Sequence, residues 1–275
     1  RASKANPESS EPGGILKVEA AIFKVGDDCR QDVLALQVAE LVKRKFDDVG
    51  LPLPLVPYGV IPTGYECGII QVVPNAKSRA QLGEVTDGGL LDVFQHEFGL
   101  PGSARFEAAR QSLIESSAAY AVVSYLLQAK DRHNGNIMID NAGRLIHIDF
   151  GFIFGISPGG NMGFESAAFK LSYEMTELLD PGNTRRSVHF LRFQELCIKG
   201  YLAARMAADS IVATVEMMLP SKLPCFSRGA PVASLRDRFH LEMSDQQAAE
   251  FMRGLINDAY DKWTTGVYDL IQYYQ

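Results

Sequence analysis

Apolar positions along the chain fall into two regimes. Residues 15–25 (ILKVEAAIFKV) cluster and alternate apolar side chains in the manner of a strand. Residues 32–49 then place Val33, Leu34, Val38, Leu41, Val42 and Phe46 on one helical stripe, closed by Gly50 and a proline-rich turn. Two more strands are predicted over 55–60 and 68–73, the second stopped by Pro74-Asn75. Beyond that point helices dominate. Ser103 is placed to cap a helix running to about residue 130, with Phe106, Leu113, Ile114, Tyr120, Ala121 and Leu126 available for burial. Two short apolar runs, 136–139 and 145–148, flank Asp140-Asn141-Ala142-Gly143, which is a hairpin pattern. Helical periodicity returns from about residue 188 with breaks at Pro220, Pro224 and Pro231, and a last helix is predicted near 245–260. The expected class is α+β in two lobes: a small β-rich one over residues 1–74 and a larger, mainly helical one over 75–275.

Composition narrows the partners. The 275 residues are 47% hydrophobic, enough for a substantial core, and carry a formal charge of -6. The basic run Lys43-Arg44-Lys45 sits in a helical pattern and reads as a solvated face, so nucleic acid is not an expected partner. Cys29, Cys67, Cys197 and Cys225 are scattered without a C-x-x-C pair, which suggests neither a disulfide framework nor a zinc site and points to a reducing, cytoplasmic setting. The most membrane-like stretch, 116–129, is shorter than the ~18 apolar residues of a spanning helix. Membrane contact is expected to be peripheral, and the charged opening residues do not read as a signal peptide.

The segment DRHNGNIMIDNAGRLIHIDFG, residues 131–151, carries the chemistry. Phosphoryl transfer needs a positioned hydroxyl, metal ions on the phosphates, and charge to offset that of the transferred group. Asp131 precedes Asn136 by the offset of the catalytic-loop Asp and metal-binding Asn of kinases, and Asp149-Phe150-Gly151 supplies a D-F-G carboxylate. The hairpin between them folds the chain so that an amide oxygen and a carboxylate can face one cation, and hard oxygen ligands suit Mg²⁺. Upstream, Ala21-Ile22-Phe23-Lys24 is similar to the strand lysine of V-A-I-K, which makes Lys24 the expected phosphate clamp. Asp32, one helical turn into the next element, is placed to pair with Lys24. The bland readings are a capping role for Asp149 and a structural hydrogen bond for Asn136.

The order Asp131-Arg132-His133 reverses H-R-D, and no A-P-E follows Gly151. IFKVGDDCRQD (22–32), DRHNGNIM (131–138) and HIDFGF (147–152) resemble instead the phosphoinositide 3-kinase/4-kinase superfamily, whose fold is two-lobed and protein-kinase-like. Within it, SPGGNMGFE (157–165), LPCF (223–226) and YDLIQYYQ (268–275) resemble the type III phosphatidylinositol 4-kinases, the alpha form most closely. The resemblance implies an ATP- and Mg²⁺-dependent lipid kinase, with Mn²⁺ as an alternative ion, that converts phosphatidylinositol to its 4-phosphate. It implies that Lys24 contacts ATP phosphates with Asp32 in support, that Asp131 with His133 deprotonates the inositol hydroxyl, and that Asn136 and Asp149 bind the metal. Whether His133 or Asp131 takes the proton stays open. Gln71-Val72-Val73 is similar to the hinge, so the Gln71 carbonyl and Val73 amide would recognise adenine through the backbone, with side-chain identity at 71 of little consequence. Met138 and Ile148 would wall the adenine pocket and Tyr58 close its inner end. ASKA at 2–5 resembles the remnant of a phosphate-binding loop, so the small lobe is expected to be truncated.

After D-F-G, residues 151–174 contain one basic residue, Lys170, beside Glu165 and Glu174. A headgroup bearing several phosphates would need several cations. The expected substrate is therefore unphosphorylated phosphatidylinositol, with Lys170 near its phosphate and Phe164 and Phe169 either at the lipid interface or packed inward. The aromatic stretch 263–275 is amphipathic enough to lie on a bilayer or dock on the large lobe. Resemblance further implies recruitment to the plasma membrane by scaffold proteins. Two competing functions are a protein Ser/Thr kinase of the related branch, against which SPGGNMGFE argues, and a pseudokinase scaffold, against which the presence of Lys24, Asp131, Asn136 and Asp149 argues.

Overall fold

The computed structural model describes residues 19–84, 88–158 and 167–262; residues 2–5, Phe164 and 263–275 lie outside that set. Strand β1 (Ala21–Val25), helix α1 (Arg30–Asp48), and strands β2 (Val60–Gly64) and β3 (Cys67–Gln71) come first. β3 is central in an antiparallel sheet of order β1-β3-β2, with Lys24 opposite Gly68. A side chain at Gly68 would come within 2.9 Å of the Cys29 sulfur, so glycine at this position lets the start of α1 lie directly on the sheet. The predicted strand over 55–60 is corrected: β2 begins only at Val60. Pro52, Pro54 and Pro57 have no N–H to offer a ladder, and the segment runs irregularly with Leu53, Leu55 and Tyr58 buried.

Of its predicted stripe α1 buries Leu34, Val38, Val42 and Phe46, with Ala35 and Ala39 beside them, and leaves Val33 and Leu41 half-buried. Lys43, Arg44 and Lys45 form the solvated face, pairing with Asp47, Glu40 and Asp48 respectively. The helix does more than cover the small sheet: it also packs on the helices of the large lobe, and its core is continuous with theirs.

The large lobe begins with β4 (Ala76–Ser78), α2 (Arg79–Gly83) and α3 (Leu90–Phe98), and is built around α4 (Ala104–Leu127). Ser103 caps α4 by accepting from the Phe106 N–H at 3.3 Å. From Ser116 to Leu127 every residue of α4 is buried, so the stretch with the most membrane-like composition is the core of the protein. Among the described residues no helix is long and apolar enough to cross a membrane. The predicted hairpin is present as β5 (Ile137–Asp140) and β6 (Leu145–His147), extended on one side by β4. Three residues are too few to show a strand pattern, which is why β4 was not legible. Helices α5 (Tyr173–Leu179), α6 (Val188–Arg205), α7 (Ala208–Met217), α8 (Pro231–Asp237) and α9 (Asp245–Asp261) complete the lobe.

The hairpin is fastened to α4 by polar contacts. Ser116 accepts from the Leu145 N–H at 2.9 Å, and His147 stacks on Tyr120 at 4.7 Å with Ser124 Oγ 3.4 Å from its Nδ1. Burial, then the nearby Arg132 and Lys170 charges, hold His147 well below the usual imidazole range, so it is neutral. The hairpin turn closes on Gly143 at φ +82°, where an added Cβ would lie 2.7 Å from the Ala109 carbonyl oxygen. Gly143→Ala is therefore expected to cost about 2 kcal/mol or more in denaturant unfolding, from backbone strain and a collision with main chain that cannot rotate away. A variant as stable as the wild type would show that the turn is not seated on α4.

Candidate active site

The site forms where β1, the start of α1, the loop before β5 and the segment after β6 meet. Lys24, at the cleft end of β1, places its Nζ 2.7 Å from Asp27 Oδ2 and 3.5 Å from Asp149 Oδ2. Burial works against its charge, but the Asp27 hydrogen bond and the Asp149 and Asp32 carboxylates outweigh it and raise the Lys24 pKa to about 12. Lys24 is thus a fixed cation held by carboxylates on two segments.

Asp32 is corrected in its partner. It makes no ion pair with Lys24; its Oδ1 accepts the Phe150 N–H at 2.7 Å, almost fully buried, and it acts on Lys24 only through space. Helical geometry explains the change: the first turn of α1 aims Asp32 inward at D-F-G, while Asp27, before the helix, stays within reach of the lysine. Burial, followed by repulsion from Asp149, raises the Asp32 pKa, opposed by the Phe150 N–H. Tyr58 accepts the Asp149 N–H at 3.1 Å, so two α1-side groups hold consecutive amides of the D-F-G segment.

The loop 131–136 approaches from the other side. Asn136 Nδ2 donates to the Asp131 carbonyl at 2.9 Å and to its Oδ2 at 3.4 Å, which turns the Asn136 amide oxygen away from Asp131. His133 caps the turn Asn134–Asn136: its Nδ1 accepts the Gly135 N–H at 3.0 Å, and its Nε2 stands 3.9 Å from Asp131 Oδ2. With Nδ1 accepting, a neutral His133 carries its proton on Nε2, facing Asp131. Asp131 and Asp149 both adopt left-handed backbone, φ +62° and +60°, a conformation of order 1–3 kcal/mol unfavourable for a non-glycine residue.

Arg132 holds both in place. Buried at 4% exposure, it donates to the carbonyls of Lys130 (2.9 Å), Ile148 (2.7 Å) and Asp149, and lies over the Phe150 ring at 5.3 Å. Asp27, Gln31 and Arg132 were not singled out from the sequence. The signals were there: each sits inside a quoted motif, between or beside the residues that were chosen.

The remaining residues fall into place less uniformly. Met138 pairs with Ile146 across the hairpin, so Ile148, two residues on, shares its face, and both are half-buried. Gln71 ends β3 and Val73 packs into the core. The Gln71 side chain has a structural part: its amide oxygen accepts the Gly59 N–H at 2.9 Å, beside the Gln71 N–H to Gly59 carbonyl bond at 2.8 Å. Phe169 at 3% exposure is packed inward rather than presented to lipid, together with Ile153 and Phe154. Lys170 is buried as well, in a small cleft with Arg79, Asn134, Ser172 and Glu174, where Arg79 and Glu174 form an ion pair at 2.8 Å.

Comparison with known proteins agrees with this arrangement. The family description "Phosphatidylinositol 3- and 4-kinase" matches residues 19–228. The chain is 62% identical over 260 residues to phosphatidylinositol 4-kinase alpha 1 of Arabidopsis thaliana, covering 94% of the chain and 13% of that protein. It is 60% identical over 260 residues to phosphatidylinositol 4-kinase alpha 2 of the same plant, covering 94% of the chain and 48% of that protein. With phosphatidylinositol 4-kinase STT4 of Saccharomyces cerevisiae it shares 45% over 267 residues, 97% of the chain and 14% of the relative. The chain thus spans less than half the length of these relatives. By the extent of the match and the placement of its motifs around one cleft, the chain belongs to the phosphatidylinositol 3- and 4-kinase family.

Proposed function

We propose that the protein transfers the γ-phosphoryl group of ATP to the 4-hydroxyl of phosphatidylinositol at a membrane surface, giving phosphatidylinositol 4-phosphate. The observation that carries this reading is the approach of Lys24 Nζ to Asp149 Oδ2, 3.5 Å apart across 125 positions of sequence, beside the Asn136–Asp131 pair. Lys24 binds ATP phosphate oxygens. Asn136 and Asp149 offer an amide and a carboxylate oxygen, the hard donors that Mg²⁺ prefers. Mg²⁺ bound to a nucleotide keeps phosphate oxygens and water in its shell, so two protein oxygens suffice. Such an ion, Mg²⁺ or Mn²⁺, would offset the charge developing on the transferred group.

Asp131 takes the inositol proton in this reading, because the His133 tautomer set by the Gly135 N–H presents a donor, not a lone pair, on the Asp131 side. Adenine lies against Met138 and Ile148, with Tyr58 at the inner end and the backbone of Gln71 and Val73 at its edge. Functionally the chain divides near residue 74, with Lys24 and the adenine-facing strand before it and the catalytic and D-F-G segments after it. The single cation of the post-D-F-G segment, Lys170, favours an unphosphorylated headgroup. The setting is the cytoplasmic face of a membrane, with plasma-membrane recruitment by scaffold proteins.

The test is incubation of the intact protein with labelled ATP, phosphatidylinositol vesicles and a generic protein substrate, followed by headgroup-position analysis. Label is expected at the 4-position of phosphatidylinositol. Label only in protein overturns the lipid assignment, and equal or better turnover of a bisphosphorylated inositide overturns the substrate class.

A further inference from the structure

Gln31 is 3% exposed and its carboxamide is engaged on both ends. Its Nε2 donates to the carbonyls of Phe150 (3.4 Å) and Gly151, and its Oε1 accepts the Cys225 N–H at 2.9 Å. One side chain on the first turn of α1 therefore ties D-F-G to the Pro224–Phe226 turn, 194 residues away in sequence. The same turn closes on the segment from its other side, since Phe226 stacks on Phe154 at 6.4 Å. Asp32, the next residue, accepts the Phe150 N–H, so Gln31 and Asp32 together take the carbonyl and the amide of one residue, Phe150.

We propose that Gln31 is a positioning residue for phosphoryl transfer, acting through the main chain of D-F-G to keep the Asp149 carboxylate aimed at Lys24 and the phosphate-bound cation. The inference rests on the kinase reading of the site. Three features support it. Asp149 sits at φ +60°, a left-handed conformation that costs a non-glycine residue and is kept by its surroundings. The carbonyls that Gln31 binds lie immediately after Asp149, where a small rotation swings the carboxylate. Finally, the support is anchored at Cys225 in the large lobe and carried on α1, so it fixes D-F-G relative to both sides of the cleft.

Gln31→Met in the intact protein keeps the volume and removes all three bonds. Expected are a roughly tenfold lower kcat for phosphatidylinositol phosphorylation, a KM for ATP changed less, and a midpoint for Mg²⁺ activation raised several-fold. A role confined to stability would lower the active fraction without moving the Mg²⁺ midpoint. Gln31→Glu, which keeps the acceptor for Cys225 but sets an anion against two carbonyls, separates the two ends. Hydrogen exchange is expected to show the Cys225 amide protected in Gln31→Glu and fast-exchanging in Gln31→Met, a readout that does not depend on activity. An unchanged Mg²⁺ midpoint and kcat in folded Gln31→Met overturn the proposal. A wild-type protein that labels no lipid overturns the kinase reading instead, while the exchange result still tests the geometry.

Discussion

Asp149→Asn is expected to lower phosphatidylinositol turnover by at least ~10³-fold while leaving the fold intact. The carboxylate has little structural work: its contacts are Lys24 at 3.5 Å and the Gly151 N–H at 3.3 Å, and its side chain is 40% exposed. Removing its charge should change stability by no more than about 1 kcal/mol. Asn is a cleaner replacement than Ala because a short amide tolerates the left-handed backbone at φ +60°. What is lost is an anionic oxygen for the divalent ion. Turnover under saturating ATP and Mg²⁺, with unfolding followed in parallel, measures both; near-wild-type kcat would remove Asp149 from the mechanism.

The largest effect on stability is expected at Arg132. Arg132→Met strips hydrogen bonds from the carbonyls of Lys130, Ile148 and Asp149 in an environment with little water. The expected cost is about 3 kcal/mol or more in urea unfolding. Its kinetic effect should exceed the loss of folded protein, because the guanidinium is also what keeps the Asp131 and Asp149 loops in register. Arg132→Lys should recover only part of both: an ammonium is a point charge, not a planar fork. A Met variant within 1 kcal/mol of the wild type and with full kcat per folded molecule would show that the two loops hold their shape unaided.

Lys24, Asp131, Asn136 and Asp149 were legible as candidates because motif spacing is local, and the fold brings Lys24 to Asp149 and Asn136 to Asp131. The α1 stripe, the Ser103 cap and the hairpin were legible because hydrophobic period and capping chemistry are local properties. The late start of β2 was also written locally, in three prolines, and was misread because the apolar alternation around them looked like a strand. The other errors had a different origin. Asp32 was assigned to the lysine because distance along a helix says which residues share a face and not what lies opposite. Phe169 carried both a lipid-facing and a buried reading, and only the packing of the large lobe separated them.

The sequence by itself determined the class of fold, through hydrophobic period and turn residues that act locally, and the family, through the resemblance of its motifs. Tertiary structure alone decided who holds whom: Asp27 rather than Asp32 on Lys24, Arg132 across two loops, and Gln31 between Phe150 and Cys225. The physical reason is that a buried polar group must find a partner wherever packing happens to bring one. Those partners lie as far as 194 residues away, beyond the reach of any local period or motif.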